Sequence, residues 1–286
     1  MITHAPDTKN SAGMHRYARP VTTIPLIIVS DPDDPDAAEV LIDGTVNGRP
    51  RRFLLDTGAA RTRLIADQYT YTLPSAGEQQ SSGALAAATE DLVLITEIAA
   101  ASGLISAHDL TVSRVPADQP GARDLIGMDV FRHYCLRIQL DRSRLTLETS
   151  PQPDALTPLV TSSRHHPYVD LTWPGAIART CLDTGSGVTV VDQQFLDKHP
   201  DLFTLEGSSI GMDANGGQAE TPTYRMRGQV IGGIQFDNHP VVAFDLSAVN
   251  ATTDIPMDFI LGYPTLRQAE WLLDFPAARW SARRNT

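Results

Sequence analysis

The chain has 286 residues, of which 42% are apolar, and a formal net charge of −11. A chain of this length and composition buries the core of one or two globular domains. The acidic balance argues against a polyanionic partner, since Lys and Arg form no basic run beyond the pairs Arg51-Arg52 and Arg283-Arg284. We therefore expect no nucleic-acid partner.

The N-terminal region predicts a tail followed by a strand. Residues 1–20 are polar and have no periodicity, which is typical of a flexible segment. The first apolar run, residues 24–29, is too short for a signal-peptide core or a membrane span. We expect a cytoplasmic protein with no membrane partner, and a first strand within residues 22–30.

One ten-residue pattern occurs twice, as FLLDTGAART at 53–62 and as TCLDTGSGVT at 180–189. In each copy a short apolar run leads into Asp-Thr-Gly, which is typical of a buried strand that ends in a tight turn. Both copies continue to a threonine at the same offset, Thr62 and Thr189. The pattern therefore predicts that Asp56 and Asp183 lie on equivalent loops.

The flanking residues extend the repeat. Asn47-Gly48 and Pro174-Gly175 each separate two apolar runs, so each aspartate is expected to follow the second strand of a hairpin. Further on, each half has an apolar-apolar-Gly segment, then a predicted short helix and a strand. Asp192 is expected to cap a helix that ends near Lys198.

These signals divide the chain into two copies of one all-β unit with a few short helices. The polar, proline-bearing stretch 150–158 is the predicted linker. We expect a flexible tail at 1–20, an N-terminal lobe at 21–152 and a C-terminal lobe at 153–286. Small residues near 82–87 and 213–218 predict two mobile hairpin tips.

If the two halves meet face to face, the duplicated loops bring their two aspartates together as a pair. Two adjacent carboxyl groups cannot both ionise cheaply, so they titrate jointly and one keeps its proton. Such a pair can hold a water molecule, with the charged member accepting the water's proton and the neutral member donating to a carbonyl oxygen.

The two Asp-Thr-Gly loops and the segments with Ile126-Gly127 and Leu261-Gly262 resemble aspartic peptidases of the pepsin and retropepsin clan, in the form of two retropepsin-like units fused in one chain. The resemblance spans about residues 22–281. It implies a bilobal all-β fold, in which two β-barrel lobes related by a pseudo-twofold axis enclose a substrate cleft under a hairpin flap. It also implies a monomer without metal or cofactor.

The same resemblance implies a role for each loop residue. Asp56 and Asp183 would be catalytic, and Gly127 and Gly262 would pass behind the loops where no side chain fits. Thr57 and Thr184 would bond across the axis. The residues supporting the catalytic loops would be Thr57, Gly58, Ala59, Thr184, Gly185 and Ser186.

Ala59 and Ser186 make the two loops unequal. A hydroxyl beside Asp183 would favour the charged form on that side. We therefore expect Asp183 to be the more acidic member of the pair and Asp56 to be the one that is more often protonated.

Three functions are compatible with the sequence. The first is an aspartic endopeptidase of narrow specificity. The second is a non-peptidase enzyme that uses the same pair for cyclisation, dehydration or hydrolysis of a small molecule, and the absence of a flap tyrosine in the first half motivates it. The third is a non-catalytic interaction module, against which the intact motifs argue.

The remaining candidates predict structural roles. The two cysteines are expected to be small buried hydrophobes, and the acidic stretch 30–38 a solvated loop and not a calcium site. His165 and His166 have no partner cluster at metal-ligand spacing. Arg61, although close to the first aspartate, is expected to be a surface arginine.

Overall fold

The computed structural model describes residues 22–82, 87–149, 156–212 and 217–285. The predicted tail at 1–20, most of the predicted linker at 150–158 and parts of both predicted hairpin tips lie outside the described residues. Within the described residues strands dominate and the helices are short. The predicted all-β class is therefore confirmed.

Where it is described, the first half of the chain contributes one short α-helix and a series of strands. The strands are β1 (Thr22–Pro25), β2 (Ile27–Ser30), β3 (Ala38–Val46), β4 (Arg49–Leu55), β5 (Arg63–Ile65), β6 (Ser75–Ser82), β7 (Ala87–Ala100), β8 (Ile105–Val115), β9 (Leu125–Ile126), β10 (Cys135–Gln139) and β11 (Arg144–Leu147). The helix is α1 (Met128–Phe131).

The second half repeats this order with additional short strands. The strands are β12 (Thr157–Pro158), β13 (Val160–Thr161), β14 (Pro167–Trp173), β15 (Ala176–Leu182), β16 (Val190–Asp192), β17 (Phe203–Met212), β18 (Gln218–Met226), β19 (Val230–Ile231), β20 (Ile234–Gln235), β21 (His239–Phe244), β22 (Phe259–Leu261), β23 (Ala269–Asp274) and β24 (Arg279–Arg284). The helices are α2 (Gln193–Lys198), α3 (Ser247–Asn250) and α4 (Tyr263–Leu266).

The strands of the described residues form three sheets. One follows the order β2-β3-β4-β9-β5-β8-β7-β6 and comes from the first half. A second follows the order β17-β18-β21-β16-β22-β15-β14-β19-β20, with β13 beside β14, and comes from the second half. The third joins both halves in the order β1-β11-β10-β23-β24-β12. The duplicated halves are thus held together by a shared sheet.

The hairpins predicted before each aspartate are present. The β3–β4 turn lies at Asn47 and Gly48, whose φ angles of 48° and 78° suit the left-handed conformation of a tight hairpin turn. The β14–β15 turn uses Gly175 with φ of 85°. Turn chemistry therefore fixes the register of both strands that lead to the site.

Two predicted elements differ from the structure. The strand expected within 22–30 is broken at Leu26, so that β1 pairs with β11 and β2 pairs with β3 in another sheet. Leu26 donates its N–H to the carbonyl of Ser143, at 2.8 Å. At α2, Asp192 occupies the N-cap position, but its carboxylate accepts the N–H of Leu246 instead of capping the helix. Both differences arise from tertiary contacts, which local sequence does not encode.

A single cluster of buried apolar side chains extends through both halves. It includes Phe53 and Phe131 from the first half and Phe259 and Trp271 from the second, each no more than 1% exposed. Burial of one such side chain stabilises a fold by about 1.5–3 kcal/mol. The two halves therefore share one core.

Two loops cross between the halves in a matched way. Arg267, which follows α4, forms an ion pair with Asp36 in the loop before β3. Its counterpart Arg132, which follows α1, donates to Nε2 of His165 in the loop before β14, at 2.8 Å. In each half, the arginine that follows the short helix thus contacts a loop of the other half.

Candidate active site

Both aspartates lie immediately after a buried strand. Asp56 follows β4 and donates its backbone N–H to Ile126 of β9, while Asp183 follows β15 and donates to Leu261 of β22. In each half the two strands pair in parallel, with Leu55 opposite Ile126 in the first. The sheet itself therefore sets the position at which each aspartate leaves the core.

The structure brings the two loops together. Gly58 lies so close to Asp183 that a methyl group on Gly58 would overlap the Asp183 carboxyl group, and Gly185 has the same relation to Asp56. The N–H of each glycine also donates to the aspartate of its own loop, at 2.9 Å in both cases. Only glycine leaves room for the opposite carboxyl group.

The two threonines cross-link the loops, in the manner that the motifs imply. The Thr57 hydroxyl donates to the carbonyl of Leu182, at 2.7 Å, and the Thr184 hydroxyl donates to the carbonyl of Leu55, at 2.6 Å. Each hydroxyl also accepts the backbone N–H of the other threonine, at 3.1 Å. Because Thr57 and Thr184 are at most 3% exposed, these bonds lie out of water.

Gly127 and Gly262 pack directly behind the two aspartate loops. A methyl group on Gly127 would lie 2.8 Å from the carbonyl oxygen of Ala59, and one on Gly262 would overlap the carbonyl of Val188. Neither glycine has a positive φ, so close approach and not backbone conformation requires glycine here. The loop residues Ala59 and Ser186 accept the N–H groups that follow these glycines.

A pair of buried threonines at the same offset was left without a role by the sequence. The hydroxyls of Thr62 and Thr189 each accept the N–H of the glycine behind the loop, at 3.2 Å. Thr62 is held in turn by the carboxylate of Asp129. The recurrence of threonine six residues after each aspartate was the signal that could have identified them.

In the second half the equivalent series of hydrogen bonds ends at a histidine. Thr189 bonds to Thr265, at 2.8 Å, and Thr265 bonds to Nε2 of His239, at 2.7 Å. Burial lowers the pKa of His239, so its ring is neutral at physiological pH. The two loops are therefore supported by different chemistry, a carboxylate in one half and a neutral imidazole in the other.

The environment raises the pKa of both aspartates. For Asp56, which is 8% exposed, burial is the main cause and the charge of Asp183 adds to it, so its pKa lies well above the ordinary value. Burial also raises the pKa of Asp183, but hydrogen bonds from Gly185, from the Asp56 side chain and from Ser186 oppose the rise. This pattern favours a proton on Asp56 that is donated to Asp183.

The proposed reason for this inequality was wrong. The Ser186 hydroxyl donates to the carbonyl of Val188, at 2.7 Å, and so it does not serve Asp183. Backbone N–H groups supply the bonds that stabilise the charged form of Asp183. Arg61 is likewise occupied elsewhere, since its guanidinium donates to the carbonyl of Thr111, at 2.7 Å.

A buried ion pair lies near the first loop. Arg63 of β5 donates to Glu90 of β7, at 2.6 Å, and their side chains are 13% and 3% exposed. The positive charge of Arg63 lowers the pKa of Asp56, against the stronger effects of burial and of Asp183. This pair could not be predicted from the sequence because its members are 27 residues apart.

The other candidates have structural environments. Cys135 and Cys181 are buried and free, as predicted. In the described ranges, no group of three or more His, Cys, Asp or Glu side chains is arranged to hold a metal ion. Nor does any helix within those ranges have the length and apolar character needed to cross a bilayer.

The fold is similar to that of two basic 7S globulins. Conglutin gamma from lupine seeds, described as a unique basic 7S globulin, matches with a TM-score of 0.56 and 10% identity over 93% of this chain and 96% of that chain. Basic 7S globulin from soybean matches with a TM-score of 0.55 and the same identity and coverage. No family model and no curated protein matches the chain. At this identity the likeness concerns the fold alone.

These comparisons overturn the family that the motifs suggested. The chain is similar to proteins named as globulins and not as aspartic peptidases, and no family model supports membership of the pepsin and retropepsin clan. The prediction was wrong because it depended on two tripeptides and two short glycine segments. Such motifs specify a loop geometry, which does not define a lineage.

Proposed function

We propose that Asp56 and Asp183 form a proton-sharing catalytic pair that hydrolyses an amide bond in a peptide of narrow sequence range. The observation that carries the proposal is the placement of the two carboxyl groups, each against the glycine of the opposite loop and each with a raised pKa. The same geometry supports a two-lobe arrangement about a pseudo-twofold axis, with the pair at its centre.

The proposed reaction uses one water molecule between the two side chains. Charged Asp183 accepts a proton from the water molecule while the water oxygen attacks the carbonyl carbon. At the same time Asp56 donates its proton to the carbonyl oxygen. The product is a tetrahedral diol. Asp183 then donates a proton to the amide nitrogen, Asp56 takes back the proton of one hydroxyl, and the carbon–nitrogen bond breaks. The pair ends in its starting state.

A peptide is favoured as substrate because hairpin strands form open edges. In the order of the described strands, β6 ends the sheet of the first half and β17 ends that of the second. An open strand edge presents unpaired backbone groups with which an extended peptide can pair. Leu205 and Ile210 on β17 are 64% and 77% exposed, which offers apolar contacts to such a peptide.

A small-molecule substrate is the second candidate, and the composition of β6 favours it. The strand reads SAGEQQSS, so it brings no large apolar or aromatic side chain to hold a peptide. A proton-sharing pair also serves cyclisation, dehydration or hydrolysis of a compact substrate. In that case purified enzyme would leave peptides intact and retain a small metabolite.

Cleavage of a peptide library from acid to neutral pH tests the proposal. The wild type is expected to cleave a narrow set of sequences, and Asp56→Asn and Asp183→Asn are each expected to abolish cleavage. Asp43→Asn, at an exposed carboxylate paired with Arg52, is the matched control and should cleave normally. The absence of cleavage by wild type at every pH would contradict the peptidase proposal. Equal activity of all four proteins would indicate a non-catalytic role, as the globulin names of the structural neighbours allow.

A further inference from the structure

The two halves differ most in the polar residues that surround Arg63. Glu90 of β7 accepts a bond from Arg63 and a second bond, at 3.1 Å, from Gln79, its cross-strand neighbour on β6. Gln79 also donates to Ser113 of β8, at 2.8 Å. These four side chains form a polar network that joins β5 to the β6–β7 hairpin.

The second half has no charge at the corresponding positions. Seven residues after Asp183 stands Val190, which pairs with Val242 as Arg63 pairs with Ser113. On the second hairpin, Thr221 lies opposite Ser209 as Glu90 lies opposite Gln79. The positions that carry the charged network in the first half are thus occupied by valines and hydroxyl side chains in the second half.

The strand pairing links this network to the first catalytic loop. Arg63 on β5 and Leu54 on β4 flank the same residue, Leu125 of β9. Asp56 lies two residues beyond Leu54. The path from the hairpin through Glu90 and Arg63 therefore reaches the loop within two neighbouring strands.

We propose that Arg63 and Glu90 are positioning residues for the reaction proposed above, on which this inference rests: they tie the β6–β7 hairpin to the loop of Asp56 and make the two halves of the site electrostatically unequal. The cation lies on the Asp56 side alone, where it favours the ionised form of Asp56 and so narrows the difference between the two aspartates. Arg63 supplies a positive charge on one side, and Glu90 holds it in place while offsetting part of that charge.

Opposite responses of two variants test this arrangement. Arg63→Met removes the cation, and the Asp56 pKa should rise by about one unit. Glu90→Gln leaves the cation without its partner, so the same pKa should fall. Arg63→Lys keeps the charge and should change the titration by only a few tenths of a unit. The readout is carbon-13 NMR of labelled aspartate carboxyl groups without substrate.

The matched control is Arg114→Met. Arg114 is 14% exposed, close to the 13% of Arg63, and forms an ion pair with Asp91 of β7. This variant removes an arginine of β8 that is paired with the same hairpin but is not on the path to Asp56, and it should leave the titration unchanged. If the two residues had a merely structural role, the Asp56 pKa would shift in the same direction in Arg63→Met and Glu90→Gln, or would not shift. Either result would overturn the inference.

A second readout separates this inference from the proposed function. In a protein that cleaves peptide, the alkaline limb of the kcat/KM profile, which reports loss of the Asp56 proton, should move with the titration while KM stays nearly constant. If wild type cleaves nothing, the proposed function fails, yet the NMR shifts still decide the inference.

Discussion

The two aspartates have unequal environments, although their loop sequences are nearly the same. The repeat predicted that both lie on equivalent loops, and the structure brings these loops together. The role expected of Ser186 was wrong because its hydroxyl donates to the carbonyl of Val188, which cannot be read from composition. The ion pair of Arg63 could not be predicted either, because strand pairing sets its partner.

Replacing Asp56 by Asn should stabilise the protein at neutral pH. Its folded-state pKa lies above the unfolded value near 4. As pH rises between these values the unfolded chain loses its proton first, so stability falls in that window. An amide does not titrate, so Asp56→Asn should gain about 1–3 kcal/mol near pH 7 and nothing below about pH 4. Denaturant unfolding at several pH values measures this.

The exposed carboxylate of Asp43 provides the control for the sign of this stability change. A hydrogen bond from Arg52 lowers the pKa of Asp43, so Asp43→Asn should lose a little stability near neutral pH. If Asp56→Asn is destabilising across the whole pH range, burial of the carboxyl group is not the dominant cost at that position.

Adding a methyl group behind the loops should have graded effects. Gly262→Ala places the methyl group in the carbonyl of Val188, whereas Gly127→Ala meets Ala59 at 2.8 Å. We expect Gly127→Ala to cost about 1–3 kcal/mol and Gly262→Ala to cost more. Gly207→Ala, with its nearest neighbour at 3.7 Å, should be close to neutral. Thermal unfolding of the three variants would contradict this packing if the order were reversed.

At the scale of elements, turns and paired strands were predictable, whereas strand breaks were not. Asn47-Gly48 specifies its hairpin through φ angles that few other residues adopt. The break at Leu26 reflects the separate partners of β1 and β2. Pro25 lacks an N–H group, and this was the local hint of the break.

The bonds across the loops act as one unit, and a double-mutant cycle should show it. Thr57→Val removes a donor to Leu182 and leaves a buried N–H of Thr184 unpaired. Each single valine variant should lose about 2–4 kcal/mol of the free energy of unfolding. The double variant should lose less than the sum, because both changes remove parts of the same network.

An exposed threonine provides the control for this cycle. Thr72 bonds to the carbonyl of Tyr69, at 2.7 Å, at the surface, and Thr72→Val should change stability by less than about 0.5 kcal/mol. Strict additivity of Thr57→Val and Thr184→Val would show that the loops are held independently.

At the scale of the whole molecule, the fold unites two repeats through a shared sheet and crossed loops. The repeat was visible in the sequence, but the contacts that Arg132 and Arg267 make with the opposite half were not, because their partners His165 and Asp36 are 33 and 231 residues away. Two basic 7S globulins have a similar fold at 10% identity. Because that likeness concerns the fold alone, only the site can decide function.

Acid should remove a contribution of His166 to the stability of the whole molecule. Burial lowers its pKa to about 4, against an unfolded value near 6.5. The unfolded chain therefore binds the proton first as pH falls, so this contribution decreases from about pH 6.5 to about pH 4 and then levels off, whereas that of Asp56 changes in the opposite direction. The loss should be at most about 3 kcal/mol.

Urea unfolding of His166→Leu measures this effect. The variant should lose less stability than wild type over that pH range, whereas His108→Leu, at an exposed position, should behave as wild type does. Parallel curves for wild type and His166→Leu would remove His166 from the account of acid sensitivity.

Whether Asp56 and Asp183 share one proton is measured most directly by carbon-13 NMR of their labelled carboxyl groups, assigned with Asp56→Asn and Asp183→Asn. We expect Asp183 to ionise first and Asp56 to remain protonated well above the ordinary range of an aspartate, with each titration perturbed when the other residue is changed. Two independent titrations near the ordinary aspartate pKa of about 3.9 would contradict the account.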